Sequence, residues 1–310
     1  MGAKILVTGG AGFIGSHIAR HLVEKGERVL VADNLASGYE KNVPRKADIL
    51  NMDISDHKAL AKLPGRDIKA VIHLAAQSSG EISNEKPLLD IMTNSVGTLA
   101  LLRWCRDNGI KRFIFSSSMA VYGQPEEPCV KETDPCRPLS LYGISKLTAE
   151  NYVNHFARDG MDTTIFRFFS VYGPGQDLGN MKQGMVSIYL AYILKGETLY
   201  VKGSSDRFRD FIYVDDVADA VIASIDSPAA YGKTYNLATG VKTFVRDLVD
   251  MELEALGKDR SIYPVKYEGR TPDDQFGLYA DISRIEKDLG WRPKVALSEG
   301  IRRMSKWARS

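Results

Sequence analysis

The first half of the chain alternates short apolar runs with stretches whose apolar residues recur at helical spacing. Lys4–Thr8 is one such run, and it meets a cluster of glycines. Ile14–Lys25 carries the helical pattern and stops at Gly26. Further strands are predicted at Arg28–Ala32, Asp48–Met52, Ala70–Leu74, Arg112–Phe115 and Thr163–Phe169. Long helices fit Asn94–Asn108, with Leu99, Leu102 and Trp104 among its apolar positions, and Tyr142–Phe156. Continuous apolar strands separated by helices predict a parallel sheet covered on both faces, an α/β fold of the doubly wound Rossmann type.

After Phe169 the texture changes. Gly, Pro, Gln, Asp and Asn crowd Tyr172–Gly184, which reads as a loop. A helix near Met185–Leu194 and a short strand at Leu199–Val201 follow, and Val214–Ile225 reads as a helix returning to the first domain. From about Thr243 the tail mixes helices with short strands. The expectation is a dinucleotide domain over 1–170 plus about 212–236, and a smaller, discontinuous α/β substrate lobe over 171–211 and 237–310.

Composition narrows the function classes. The chain has 310 residues, 44% hydrophobic and 26% charged, which suits an ordinary globular protein of two lobes. A formal net charge of +2 implies neither nucleic acid nor an anionic membrane as partner. No apolar run approaches the ~18 residues of a membrane helix, and Lys4–Val7 reads as a first strand rather than a leader. Cys105, Cys129 and Cys136 lack zinc spacing and read as free thiols of a cytoplasmic protein, with no metal site expected.

Three local patterns carry chemistry. Gly9, Gly12 and Gly15 follow a strand and open a helix, the arrangement that lets backbone approach a pyrophosphate at a helix N-terminus. Asp33 ends the second strand, where a carboxylate binds the ribose hydroxyls of NAD and repels the extra phosphate of NADP. Tyr142 and Lys146 are four residues apart, so they share one helix face. A free phenol titrates near ~10. A unit charge about 4 Å away, at an effective dielectric of ~20, is worth roughly 4 kcal/mol, or about three pKa units. With the positive nicotinamide ring added, a phenolate at neutral pH is expected, and with it hydride chemistry on an alcohol. His73, at a strand end, reads as a structural hydrogen-bonder without a catalytic role.

Together the glycine opening, His73-Leu74-Ala75-Ala76, the Asn94 helix, Ser116-Ser117-Ser118 before Val121-Tyr122-Gly123, and the Tyr142/Lys146 pair resemble the extended short-chain dehydrogenase/reductase family. Within it, the chain is similar to the nucleotide-sugar epimerases and dehydratases, from residue 4 to about 300. That resemblance implies that Ser118 bonds the reacting hydroxyl, Tyr142 is the base, and Lys146 holds the nicotinamide ribose. It implies that Gly9, Gly12, Phe13, Ile14 and Gly15 cradle the NAD, that Asp33, Asn34, Asp53 and Ile54 line its adenosine end, and that Leu74, Ala75, Ala76, Gln77, Asn94 and Ser116 lie along it. Ser116 and Ser117 equally suit strand-end residues that satisfy backbone groups. For a UDP-linked substrate the resemblance implies Arg209, Arg270 and nearby Asp273 at the diphosphate, and Tyr200 and Val201 along the base. Ser170 stands where the family usually has a substrate-touching Asn, and Leu278 where the sugar 2-substituent is gated. Arg207 reads as part of a solvated charge run.

In the dehydratases of that family an Asp-Glu pair follows the catalytic Ser or Thr; here it is Met119-Ala120, with no exchangeable proton. What remains suits 4-epimerisation through a 4-keto sugar, with UDP-glucose/UDP-galactose as the default pair. The alternatives are a UDP-glucuronate or N-acetylated UDP-sugar 4-epimerase, a reductase, and, remotely, a non-catalytic dinucleotide-binding regulator. The resemblance also implies a homodimer through the helices near Asn94–Asn108 and Tyr142–Phe156.

Overall fold

A computed structural model describes residues 3–269 and 275–310. Seven parallel strands form the main sheet: β1 (Lys4–Thr8), β2 (Arg28–Asp33), β3 (Asp48–Asn51), β4 (Ile68–His73), β5 (Arg112–Ser118), β6 (Asp162–Phe168) and β7 (Lys233–Leu237). Their spatial order is β7-β6-β5-β4-β1-β2-β3. The winding reverses between β1 and β4, so a ligand crevice opens beyond the carboxyl ends of those strands. Thr8 pairs with both Ala32 and His73 there, and His73 with Phe115.

Alternation along each strand feeds two separate cores. Ile5, Val7, Val29, Val31, Ile72 and Ile114 face one side, under helix α1 (Phe13–Glu24) and a helix at Val214–Ser224. Leu6, Leu30, Val71, Phe113 and Phe115 face the other, under helices at Gly97–Asp107 and Leu141–Arg158. The doubly wound sheet predicted from the apolar runs is therefore the observed one, and Val214–Ser224 does pack on the sheet. A third core joins helices Met185–Lys195, Val245–Ala255 and Leu297–Trp307 to the paired strands Leu199–Lys202 and Val265–Glu268.

Two elements differ from expectation. β7 is not among the predicted strands, and it extends the sheet beyond β6. The helix expected at Asn94 begins earlier, as a π turn over Ile91–Val96 that follows a short helix, Pro87–Asp90. Among the described residues no helix is long and apolar enough to cross a membrane. The three cysteines are free thiols.

Helix α1 is fastened to Val214–Ser224 by an ionic cluster. His17 Nδ1 lies 2.7 Å from Asp215 Oδ1 and His17 Nε2 2.9 Å from the Pro174 carbonyl. His21 Nε2 lies 3.2 Å from the same carboxylate. Burial alone would raise Asp215; its hydrogen bonds with His17 and His21 outweigh this and hold it well below the ordinary range. His21 is raised above 6.5, chiefly by Asp215. A raised histidine stabilises the fold fully below its unfolded pKa, and that contribution is lost as pH rises through the folded value. Asp215→Asn should therefore lower the melting temperature by about 2 °C near pH 6, roughly the 1 kcal/mol of a half-exposed pair. The deficit should shrink by pH 9, as differential scanning fluorimetry would read; a gap that widens with pH would refute this.

Candidate active site

The glycine turn is shaped by close backbone crossings. Gly9 has φ 72°, and a Cβ there would lie 2.6 Å from the Ala75 nitrogen. A Cβ on Gly15 would lie 2.1 Å from the Gly9 carbonyl, so α1 can start this close to β1 only with glycine at that position. Asp33 sits beside the turn, its Oδ2 accepting from the Ala11 N–H at 2.9 Å and its Oδ1 from the Leu35 N–H at 2.8 Å. A carboxylate has about four acceptor sites, so two bonds leave capacity for ribose hydroxyls. The N-terminus of α1 has no side-chain cap, and Gly12, Phe13 and Ile14 are partly exposed around it. This turn, whose backbone crossings admit no Cβ at Gly9 or Gly15, with an uncapped helix N-terminus and a carboxylate beside it, fits a dinucleotide.

Asn34 donates to Asp53 Oδ2 at 3.1 Å, and Ile54 is buried behind them. Leu74, Ala75, Ala76 and Gln77 follow β4, all partly exposed. The Gln77 N–H donates to Asn94 Oδ1 and the Asn94 amide returns a bond to the Gln77 carbonyl, each 2.9 Å. Ser116 is turned inward and donates to the His73 carbonyl at 3.0 Å.

His73 is sealed. Thr98 gives its proton to the Asn94 carbonyl, so its oxygen accepts from His73 Nε2 at 3.0 Å. That leaves Nδ1 to accept from Thr8, at 2.7 Å. Burial, with the Lys146 charge, lowers this imidazole to about 3, so it is neutral.

The helix Leu141–Arg158 starts at Ser140, whose Oγ accepts from the Gly143 N–H at 3.1 Å. Gly143 lets that first turn approach the Met119–Tyr122 turn, because a Cβ there would sit 2.7 Å from the Ala120 carbonyl. Tyr142 is thus brought to Ser118. Lys146, one turn on, is buried with Nζ 4.5 Å from the Phe115 ring centroid. Burial pushes the Tyr142 phenol up to about 12, with the Ser118 hydrogen bond opposing it. Burial likewise lowers Lys146 to about 8, against the charges of Glu150 and Asp90. The expected depression of the phenol is therefore not a property of this pair in the protein alone: burial, with the Asp90 charge adding to it, outweighs the Ser118 hydrogen bond.

The remaining candidates are more scattered. Ser170 opens a short strand, Ser170–Tyr172, paired with Phe211–Tyr213, so the strand takes the first residue of the predicted loop. Arg209 is buried, donating to the carbonyls of Phe208, Gln275 and Phe276 at 2.7, 2.8 and 3.1 Å. Arg207 is not solvated as expected. It is 8% exposed and donates to the Lys202 carbonyl, because the turn at Gly203 folds onto it. Tyr200 projects outward while Val201 belongs to the lobe core. Leu278 is fully buried with Val121, Tyr122 and Phe169, forming a wall behind the Met119–Tyr122 turn. Arg270 and Asp273 lie outside the described residues.

Residue pattern gives no warning of the supporting shell. Asp210, fully buried, accepts from the Thr239 and Gly240 N–H groups at 2.8 Å and binds the chain just after Leu278 through Ala280. Gln275 donates to the Gly123 carbonyl and latches that chain onto the turn beyond Ser118. Glu150, two turns beyond Tyr142, accepts from Ser117 Oγ at 2.5 Å and pairs with Arg167 at 2.8 Å. The spacing of Glu150 along the helix is readable in sequence; its partners are not.

The family model for the NAD dependent epimerase/dehydratase family matches residues 5–238. The chain belongs to that family. A putative UDP-glucose 4-epimerase of Methanocaldococcus jannaschii is 38% identical, over 99% of this chain and 98% of its own. Among solved structures, the UDP-glucose 4-epimerase of Thermotoga maritima with UDP-glucose superposes with a TM-score of 0.94 at 37% identity, covering 99% of this chain and 98% of that one. The UDP-glucose 4-epimerase of Thermus thermophilus in complex with NAD gives 0.91 at 34% identity, covering 99% of each chain.

The Glu150–Arg167 pair is 3% and 7% exposed, so breaking it strands a buried guanidinium. Glu150→Gln should cost about 3 kcal/mol or more of stability in urea unfolding. A loss within experimental error would mean that the clamp contributes nothing.

Proposed function

We propose that this enzyme is an NAD-dependent UDP-sugar 4-epimerase, with UDP-glucose/UDP-galactose as its default pair. The observation that carries the reading is the turn after Ser118. Met119 and Ala120 stand there, partly exposed, and neither side chain exchanges a proton. The acid/base equipment is Tyr142 and Lys146 with Ser118, since His73 is spent on two threonines. Water elimination needs one more acid or base; epimerisation at the oxidised carbon needs none.

Tyr142 takes the proton of the sugar 4-hydroxyl, Ser118 orients that hydroxyl, and the Lys146 ammonium stabilises the phenolate. NAD, when bound, supplies the reversible oxidation of the sugar carbon and a positive ring that offsets the desolvation raising Tyr142. The 4-keto sugar then turns about its phosphate linkage, and Tyr142 returns the proton with the other face presented. The cofactor ends unchanged. The domain assignment is 1–170 plus about 212–236 for the NAD, and 171–211 with 237–310 for the nucleotide sugar. Free thiols fit a cytoplasmic enzyme.

The purified protein, given UDP-galactose and no reductant, should convert it toward UDP-glucose at constant NADH, read by proton NMR. Tyr142→Phe should lower kcat at least ~100-fold. In a second arm with NADH added, its stoichiometric consumption would indicate a reductase instead.

We also propose a homodimer. Leu88, Leu89, Ile91, Met92 and Val96 are exposed beside Leu139, Leu141 and Ile144, a contiguous apolar face of the kind that marks an interface. Light scattering should give about twice 34.3 kDa, and Leu88→Asp with Ile144→Asp should halve that mass. A monomeric parent would sink the assignment.

A further inference from the structure

The segment Pro87–Val96 has two faces. Its outer side carries the exposed Leu88, Leu89, Ile91 and Met92; its inner side carries Asp90 and Asn94, both buried. Asp90 is fully buried. Its Oδ1 accepts from Gln77 Nε2 at 2.9 Å and Asn94 Nδ2 at 3.1 Å. Its Oδ2 is equally buried and has no hydrogen-bond partner among the described residues. A carboxylate left half satisfied in the interior is unfavourable, and such groups persist where they serve a site. π turns, too, concentrate at functional sites.

Pro87–Asp90 packs against the helix Leu141–Arg158, which carries Lys146. Asn94, which holds Asp90, also donates to Ser145 Oγ at 3.1 Å, so the aspartate is tied to the residue beside the lysine. We infer that Asp90 is a positioning residue for the Tyr142–Lys146 pair: its fixed negative charge, held on Gln77 and Asn94, keeps Lys146 protonated as Tyr142 cycles its proton. The inference rests on the reading of that pair as the acid/base machinery. Burial raises the Asp90 carboxyl; Ser145, Gln77 and then the Lys146 charge pull it back, and Asp90 raises Lys146 in return. The other groups facing Lys146 are Tyr142 one turn back, Glu150 one turn on, and the neutral His73; Glu85 and Lys86, on the Asp90 side, are exposed. Glu150 raises Lys146 more than Asp90 does but is also paired with Arg167; Asp90 is the second carboxylate acting on the lysine.

Asp90→Asn removes the charge and keeps an acceptor for Gln77 and Asn94. With lysine labelled at Cε, and the Lys146 resonance assigned by its loss in Lys146→Met, NMR titration of the purified protein reads the ammonium directly. The Lys146 midpoint should fall by about half a unit or more in Asp90→Asn, roughly a threefold or greater change. The alkaline limb of kcat on UDP-galactose should move down with it, while KM changes little. An unmoved midpoint in a folded variant overturns the inference and leaves Asp90 as a hydrogen-bonding residue only. Asp90→Ser gives the same titration if Asn fails to fold. A parent that does not epimerise UDP-galactose would defeat the functional reading, yet the titration would still decide the role of Asp90.

Discussion

Glu150 reaches three elements from inside the protein. It accepts from Ser117, next to Ser118 at the end of β5; it pairs with Arg167, near the end of β6; and it rides on the helix that presents Tyr142 and Lys146. The guanidinium of Arg167 also covers the Tyr122 ring at 4.8 Å, and Tyr122 donates to Asn236 on β7 at 2.6 Å. Strand ends normally splay and fray; here one carboxylate with a bidentate partner fixes their relative positions. The same charge is the largest influence holding Lys146 protonated against its burial. Glu150 therefore contributes both to the geometry around Ser118 and, with Asp90, to the charge of Lys146.

The cofactor cradle depends on a different constraint, the absence of side chains. Backbone meets backbone at Gly9 with Ala75, at Gly15 with Gly9, and at Gly38 with Ala11. Asp33 converts these crossings into a single unit by bonding the Ala11 N–H from the end of β2. Such a cradle is rigid without a core of its own. It also leaves the Asp33 carboxylate beside the turn with acceptor capacity beyond its bonds to the Ala11 and Leu35 N–H groups.

Much of this is readable from the chain. Tyr142 and Lys146 announce themselves because a helical period of four is a local property, and so does a glycine turn between a strand and a helix. The sheet is legible for the same reason: its apolar runs face two cores on their own. What is not legible depends on contacts between distant segments. Arg207 looks solvated in sequence, yet its fate is set by a turn at Gly203. The phenol of Tyr142 looks poised by its lysine, yet desolvation, which no spacing reveals, controls it. Asp90 looks like an ordinary polar position, because the burial of a carboxylate is set by the distant segments packed over it, which its own spacing does not reveal.

The π turn over Ile91–Val96 makes the length of the chain, and not only its composition, a variable of the site. An α-helix advances its side chains by about 100° per residue, and a π turn absorbs one residue more than an α turn does. Ile91 and Met92 are exposed, so exchanging them leaves the winding intact. Loss of one residue between Asp90 and Asn94 would break the four-residue spacing that sets the two on one face and turn Pro87–Asp90 about the axis relative to Asn94. Insertions and deletions, which surface segments usually absorb, thus bear here on a buried carboxylate.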